Sequence, residues 1–525
     1  MPRANALLKG LSWKLAPLLV AACAAGDAVF SAPSQNKWDD LNAEQKTTAL
    51  FEAYADEPAF LRVLLRDMPK GGDLHTHLSG TPYAEEFLDW AARRDFCVDL
   101  DALAIVPPPC STAEKEAARD LMRRNPMLYN KLVDAMSVRA LLSGTPSEQN
   151  GHGQFFGSFE RFLSIAALEP GKAIASTRRA SAQDRVLYQE IMYNPASINI
   201  GAANVSSTGW SGDFESALAE LEPKLPALVA QARSDADQAE RDAHAALGCD
   251  ANDLNPGCEI EVRYNCYGLR LFPEAALFHQ LATCFALIEA DPRFVGVSLV
   301  QPEDDPIAVT QYDRHMEMVA LFGARFPSAK ISLHAGELTL GLVPGYALRD
   351  HISKAIHIAG SDRIGHGVDI AFEQDSRATL AHMADQGIAV EVNLSSNAVI
   401  LGVEGKDHPL NLYRASGVPI VLSTDDLGVL RSDMTEQYVQ AARDHGLTYE
   451  DLKTASRNSV HYAFIPGESL WSDQAVGTPI ALCESFEAPQ CLRYTANHPK
   501  AALGLRLEHA LKDFEAEVST WTPDF

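Results

Sequence analysis

Short, nearly continuous apolar runs alternate with longer helical stretches along most of this chain. Eight runs stand out, at residues 72–77, 186–193, 259–266, 294–301, 330–335, 363–367, 388–394 and 418–424. Several are nearly continuous in apolar character, such as Phe294-Val295-Gly296-Val297-Ser298-Leu299-Val300. Runs this apolar predict parallel strands covered on both faces, because a strand with one wet face alternates polar and apolar residues. Strand followed by helix, repeated eight times, predicts an α/β fold of the closed TIM (β/α)8 type.

Two connections are longer than such a barrel needs. The first, 91–185, reads as mostly helical with a break at Gly151-His152-Gly153. The second, 195–257, opens with a Ser/Gly/Asn-rich loop and continues as a charged helix over 213–246. Barrel enzymes commonly build lids from insertions of this kind. The pattern divides the chain into an N-terminal segment 1–25, a leader and helix over 26–65, a barrel over 66–470 and a C-terminal extension over 471–525. Within the leader, 33–50 reads as a loose polar stretch and 49–65 as a helix. The extension carries a final amphipathic helix over 503–518.

Composition narrows the class. The chain has 525 residues, 46% hydrophobic and 22% charged, as expected of a globular protein with a large core. Its net charge is −26, from 44 Lys and Arg against 70 Asp and Glu. That surplus repels phosphate and argues against a nucleic-acid or anionic-membrane partner. At the N-terminus, Arg3, Lys9 and Lys14 precede an apolar run from Leu15 to Ala25 that is too short to span a bilayer. This is the pattern of an export signal, which places the mature protein in the periplasm or outside the cell. Val20-Ala21-Ala22-Cys23 resembles a lipobox, which would anchor the chain through a lipid on Cys23; cleavage after Ala24 or Ala25 is the other route. Six cysteines form three short-range pairs, Cys97 with Cys110, Cys249 with Cys258 and Cys483 with Cys491, compatible with disulfides in an oxidising compartment. Cys266 and Cys284 sit in apolar segments and read as buried thiols.

The candidate chemistry lies where the runs end. His75 and His77 close the first run, and period-two geometry puts both imidazoles on one face. His334 ends the fifth run, His366 the sixth, and Asp425-Asp426 follow the eighth. All fall at the C-terminal ends of strands, the face that carries barrel active sites. Three imidazoles and a carboxylate suit a divalent transition metal, zinc first, one per chain, on His75, His77, His334 and Asp425. Zinc lowers the pKa of a bound water from about 15.7 toward ~7. His366 is open to two readings: it orients or deprotonates that water, or it is a further ligand. Glu337, on the turn after His334, is placed as a general acid toward a heterocycle, and Asp426 as an acceptor from the substrate. The remaining histidines, such as His152, His351 and His408, default to surface or core, with His152 beside the lid.

These segments resemble the adenosine deaminase family of the metal-dependent amidohydrolases. The resemblance rests on His75-Thr76-His77-Leu78-Ser79-Gly80, Leu333-His334-Ala335-Gly336-Glu337, Arg363-Ile364-Gly365-His366-Gly367 and Ser423-Thr424-Asp425-Asp426, in the family's order. Phe155 to Phe162 resembles its aromatic lid helix, and Tyr188 to Pro195 its second strand. The likeness runs from about Met68 to Gly467. It implies Glu337 as proton donor to purine N1, His366 assisting the nucleophile, Asp426 at purine N7, and zinc-dependent deamination of adenosine or a close purine nucleoside.

Three positions depart from the pattern. Ser79 stands where adenosine-specific members have a ribose-binding Asp. Gln301 replaces a Gly whose backbone approaches the purine. Asp425-Asp426-Leu427-Gly428-Val429 lacks the usual Pro and is closer to the branch acting on modified AMP. Ser79 and Gln301 therefore join Asp426 as candidate substrate contacts. The export signal and Met68-Pro69-Lys70-Gly71 are shared with secreted growth-factor-type members, whose insertion differs. The other readings are an amidohydrolase acting on a cyclic amide or other aminated heterocycle and, more remotely, a non-catalytic purine-binding protein. Glu337 and Asp426 favour a purine over a simple amide.

Overall fold

The computed structural model describes residues 38–144, 150–251, 255–473 and 475–521. The export signal and Cys23 lie outside the described residues. Eight strands, β1 (Gly72–His77), β2 (Tyr188–Met192), β3 (Glu261–Leu269), β4 (Phe294–Val300), β5 (Lys330–Ala335), β6 (Arg363–His366), β7 (Ala389–Val392) and β8 (Ile420–Leu422), form one sheet in sequence order. Every neighbouring pair is parallel. The sheet closes on itself just past β8, where Thr76 pairs with Asp425. There the His77 N–H donates to the Asp425 carbonyl at 3.0 Å and the Asp425 N–H to the His75 carbonyl at 2.9 Å. Closure therefore brings the first and last candidate ligands side by side.

The most apolar runs form strands with both faces buried: all seven residues of β4 are buried, with helices Glu274–Ala290 and Pro306–Arg325 packed outside. Inside, the barrel is partly charged. Glu190, Arg363 and Glu391 are fully buried in its interior and linked to one another. Among the described residues no helix is long and apolar enough to cross a membrane.

The structure corrects the sequence reading in several places. The leader is not loose throughout, because Asn42 and Gln45 cap a helix, Ala43–Ala53, by reciprocal hydrogen bonds. A second helix begins at Pro58 and runs to Arg66, so the single helix read over 49–65 is two, divided before a proline that fits only a first turn. Gly151-His152-Gly153 is no break but the first turn of helix Gly151–Phe159, capped by Asn150. Its glycine answers to packing: a Cβ on Gly151 would lie 1.8 Å from the Val399 carbonyl oxygen. The first insertion also holds a small antiparallel sheet, Ala104–Val106, Cys97–Asp99 and Lys115–Ala117. The loop expected after Pro195 starts as helix Ala196–Ala203. The final helix is longer than read, Pro499–Val518.

Three disulfides join the cysteine pairs named from spacing. Cys266 and Cys284, read as buried thiols, instead form a fourth. The cause is tertiary: β3 and the helix after it pack directly, which sets the two Cα atoms 5.5 Å apart.

Candidate metal centre

His75, His77, His334 and Asp425 meet at the C-terminal rim of the barrel. Each offers one ligand atom, and the four atoms lie within 4.8 Å of one another. His77 Nε2 is 3.2 Å and His75 Nε2 3.6 Å from Asp425 Oδ1, and the Nε2 atoms of His77 and His334 are 3.1 Å apart. Separations of this size are those of donors arranged around one ion at about 2.0–2.2 Å. His75 Nε2 is buried and has no hydrogen-bond partner. A buried nitrogen left unsatisfied beside a carboxylate is what a metal site without its ion leaves. The donors, three nitrogens and one oxygen, fit zinc or a similar divalent ion.

The opposite ring nitrogens are held from behind. His75 Nδ1 lies 2.7 Å from Glu391 Oε2, and His334 Nδ1 lies 3.1 Å from Ser298 Oγ. Glu391 also accepts from Ser332 Oγ and from Arg363 Nε, both at 2.6 Å. Arg363 reaches on to Glu190 at 2.5 Å. Such partners fix the tautomer, so that Nε2 faces the metal. β6 makes room for this: a Cβ on Gly365 would stand 2.8 Å from His75 Cε1.

Backbone strain concentrates at the same rim. His366 and Asp425 have φ of 66° and 60°, and Gln301 has 83°. Left-handed conformations of such residues cost about 1–3 kcal/mol each and turn the side chains off the strand ends. Burial disfavours charge on His75, His366 and Asp425. At His75 the neighbouring carboxylates of Asp425 and Glu391 overcome it and hold the imidazole up at about 10. At Asp425 the facing His75 and His77 rings overcome it and hold the carboxyl well below its usual range. At His366 burial outweighs the pull of the Asp425 charge and lowers the imidazole to about 3.

Glu337 and Asp426 go the other way. Burial, then the Asp425 charge, raises both carboxyls well above the ordinary carboxylate range. Glu337 Oε1 lies 3.7 Å from His366 Nδ1, and the Glu337 N–H donates to Glu303 at 3.0 Å. Asp426 Oδ1 is buried without a partner, so close to Gly80 that a Cβ there would come within 1.7 Å. Ser79 is half-buried on the turn after β1. Gln301 does not stand free, because its Oε1 accepts from the Leu271 N–H at 3.0 Å. His152, on the lid helix, contacts Asp304 at 3.0 Å.

Sequence reasoning missed the supporting groups. Glu391 carried a signal, a carboxylate in the middle of the apolar run Ala389-Val390-Glu391-Val392. Glu303 carried none, since its partners, the Gly336 and Glu337 amides and the His351 ring, come from distant segments.

Fold and site together define a metal-binding (β/α)8 barrel. A family model described as adenosine deaminase matches residues 173–470. The adenosine deaminase of Pectobacterium atrosepticum is 34% identical over 199 residues, 35% of this chain and 56% of that protein. That of Escherichia coli is 34% identical over 155 residues, 28% of this chain and 43% of that protein. The chain thus spans about half the length of the curated relatives it matches. Among solved structures, an Arabidopsis protein described as ADAL complexed with IMP shares the fold at 16% identity. Its TM-score is 0.52, with 86% of this chain and 99% of that one covered. The chain belongs to the adenosine deaminase family.

Proposed function

We propose that this protein hydrolytically removes the amino group from an adenine-type purine, adenosine or a close nucleoside analogue, releasing ammonia and the inosine-type product. The observation that carries the reading is Glu337: a buried carboxyl whose proton affinity is raised by burial, set beside a cluster of residues that could hold a metal. His75, His77, His334 and Asp425 would hold one zinc ion, whose contribution when bound is a water acidic enough to attack at neutral pH. Addition of water to the amino-bearing carbon pushes electrons onto the neighbouring ring nitrogen. Glu337 donates a proton there, which a carboxyl of ordinary acidity could not do at pH 7. Asp426, whose carboxyl burial also pushes upward, is placed to offer an O–H to a ring nitrogen that only accepts, such as purine N7. His366 stays neutral and sits between Glu337 and Asp425, within reach of the attacking water. We also read the chain as exported, consistent with the N-terminal signal pattern and four disulfides.

A substrate panel tests the reading. Adenosine, 2′-deoxyadenosine, methylthioadenosine, adenine and AMP are followed by the absorbance change of the purine ring. The expected result is rapid loss of the adenine-type band with at least one nucleoside. Inactivity of the zinc-loaded protein on all five contradicts the proposal.

A further inference from the structure

Behind His366 runs a chain of polar groups that the proposed chemistry does not use. Asn397 is 0% exposed and His408 4%. His408 Nδ1 accepts the backbone N–H of Leu410 at 3.1 Å. A backbone amide only donates, so this nitrogen bears no proton. Burial lowers His408 to about 3, so the ring is neutral at working pH and its one proton sits on Nε2.

That N–H lies 3.0 Å from Asn397 Oδ1. It requires an acceptor and therefore fixes the orientation of an amide whose two ends are otherwise hard to tell apart. The other end, Asn397 Nδ2, lies 2.9 Å from His366 Nδ1 and can only donate. His366 Nδ1 must then carry the lone pair and Nε2 the proton. Nε2 is the nitrogen on the metal side, 4.0 Å from Asp425 Oδ2. Competing contacts are weaker. Glu337 Oε1 is 3.7 Å from the same Nδ1, beyond hydrogen-bond range. Asn393 Nδ2 is 3.4 Å from one ring nitrogen and 3.5 Å from the other, and selects neither.

We propose that His408 and Asn397 are positioning residues that lock His366 in the tautomer with its proton on Nε2, so that His366 donates a hydrogen bond to the attacking water and neither deprotonates it nor ligates the metal. A nitrogen that carries a proton has no lone pair for either task. The choice between the two readings of His366 thus lies in a relay that starts at the Leu410 backbone amide. Its effect on turnover rests on the deaminase reading; the tautomer itself does not.

The test is 15N nuclear magnetic resonance of the metal-free protein labelled in histidine, with His366 assigned by the signals that vanish in His366→Gln. The expected spectrum shows His366 protonated at Nε2 and bare at Nδ1; a proton at Nδ1 overturns the proposal, whatever the protein deaminates. Asn397→Asp sets a carboxylate against Nδ1 and should move the proton there, lowering kcat roughly 10²-fold with KM and zinc content little changed. An unmoved tautomer, or a moved one with full kcat, also overturns it. His408→Gln, whose amide can still donate to Asn397, should keep more activity than His408→Leu. The expected tautomer without deamination of any purine leaves the relay standing and sinks the function.

Discussion

Glu391→Gln isolates what the buried carboxylate behind the site does for the metal. In the native protein Glu391 takes hydrogen bonds from Arg363, Ser332 and the His75 ring, all shielded from water. The amide keeps the size but loses the charge, and it has only one oxygen. Turned to accept from Arg363 and Ser332, it presents an NH2 to His75 Nδ1, where a donor meets a donor. Turned the other way, it presents that NH2 to the Arg363 guanidinium. Either way one charge-assisted hydrogen bond is lost, worth about 1.5–3 kcal/mol. At about 1.4 kcal/mol per decade this corresponds to roughly 10- to 100-fold weaker zinc binding if the loss falls on His75. Competition against a chromophoric zinc chelator measures it. Ser332→Ala, which removes a neutral hydroxyl from the same carboxylate, should weaken zinc by less. An unchanged zinc affinity in Glu391→Gln would refute the idea that this residue orients His75.

Glu337→Gln should retain zinc and lose roughly 10²- to 10⁴-fold in turnover, because the acid goes and the ligands stay; zinc analysis beside steady-state rates checks both halves. Gly365→Ala pushes a methyl to 2.8 Å from His75 Cε1, so zinc affinity should fall and stability should drop by about 1–3 kcal/mol. His408 predicts a pH effect with a definite sign. Its folded value of about 3 lies below the ordinary 6.5, so the unfolded chain binds the proton first and stability is lost as pH falls below the upper figure. His408→Gln should therefore lose about 2 kcal/mol less than the native protein between pH 6.5 and pH 5, read from denaturant midpoints of the metal-free proteins. Parallel acid curves for the two would contradict that assignment.

Strands such as β4 were legible because burial on both faces leaves a continuous apolar run, a signal that needs no knowledge of partners. The rim histidines and Asp425 were legible because a strand end is a position one can count to. Cys266 with Cys284 was not, since the contact depends on how a helix lies on its strand, and spacing carries no trace of that. The His408–Asn397–His366 relay was invisible for a similar reason: its members come from three separate segments, and each alone is an ordinary core polar residue. Gly151 misled because a glycine chosen for close approach to Val399 looks the same in sequence as one that breaks a helix.

The central claim is that three imidazoles and one carboxylate hold a single metal ion. X-ray absorption at the zinc edge of the zinc-loaded protein tests it directly. The account predicts about one zinc per chain with only nitrogen and oxygen neighbours at about 2.0–2.2 Å, and the multiple-scattering signature of three imidazoles. Sulfur in the first shell, fewer imidazoles, or no zinc retained would contradict it.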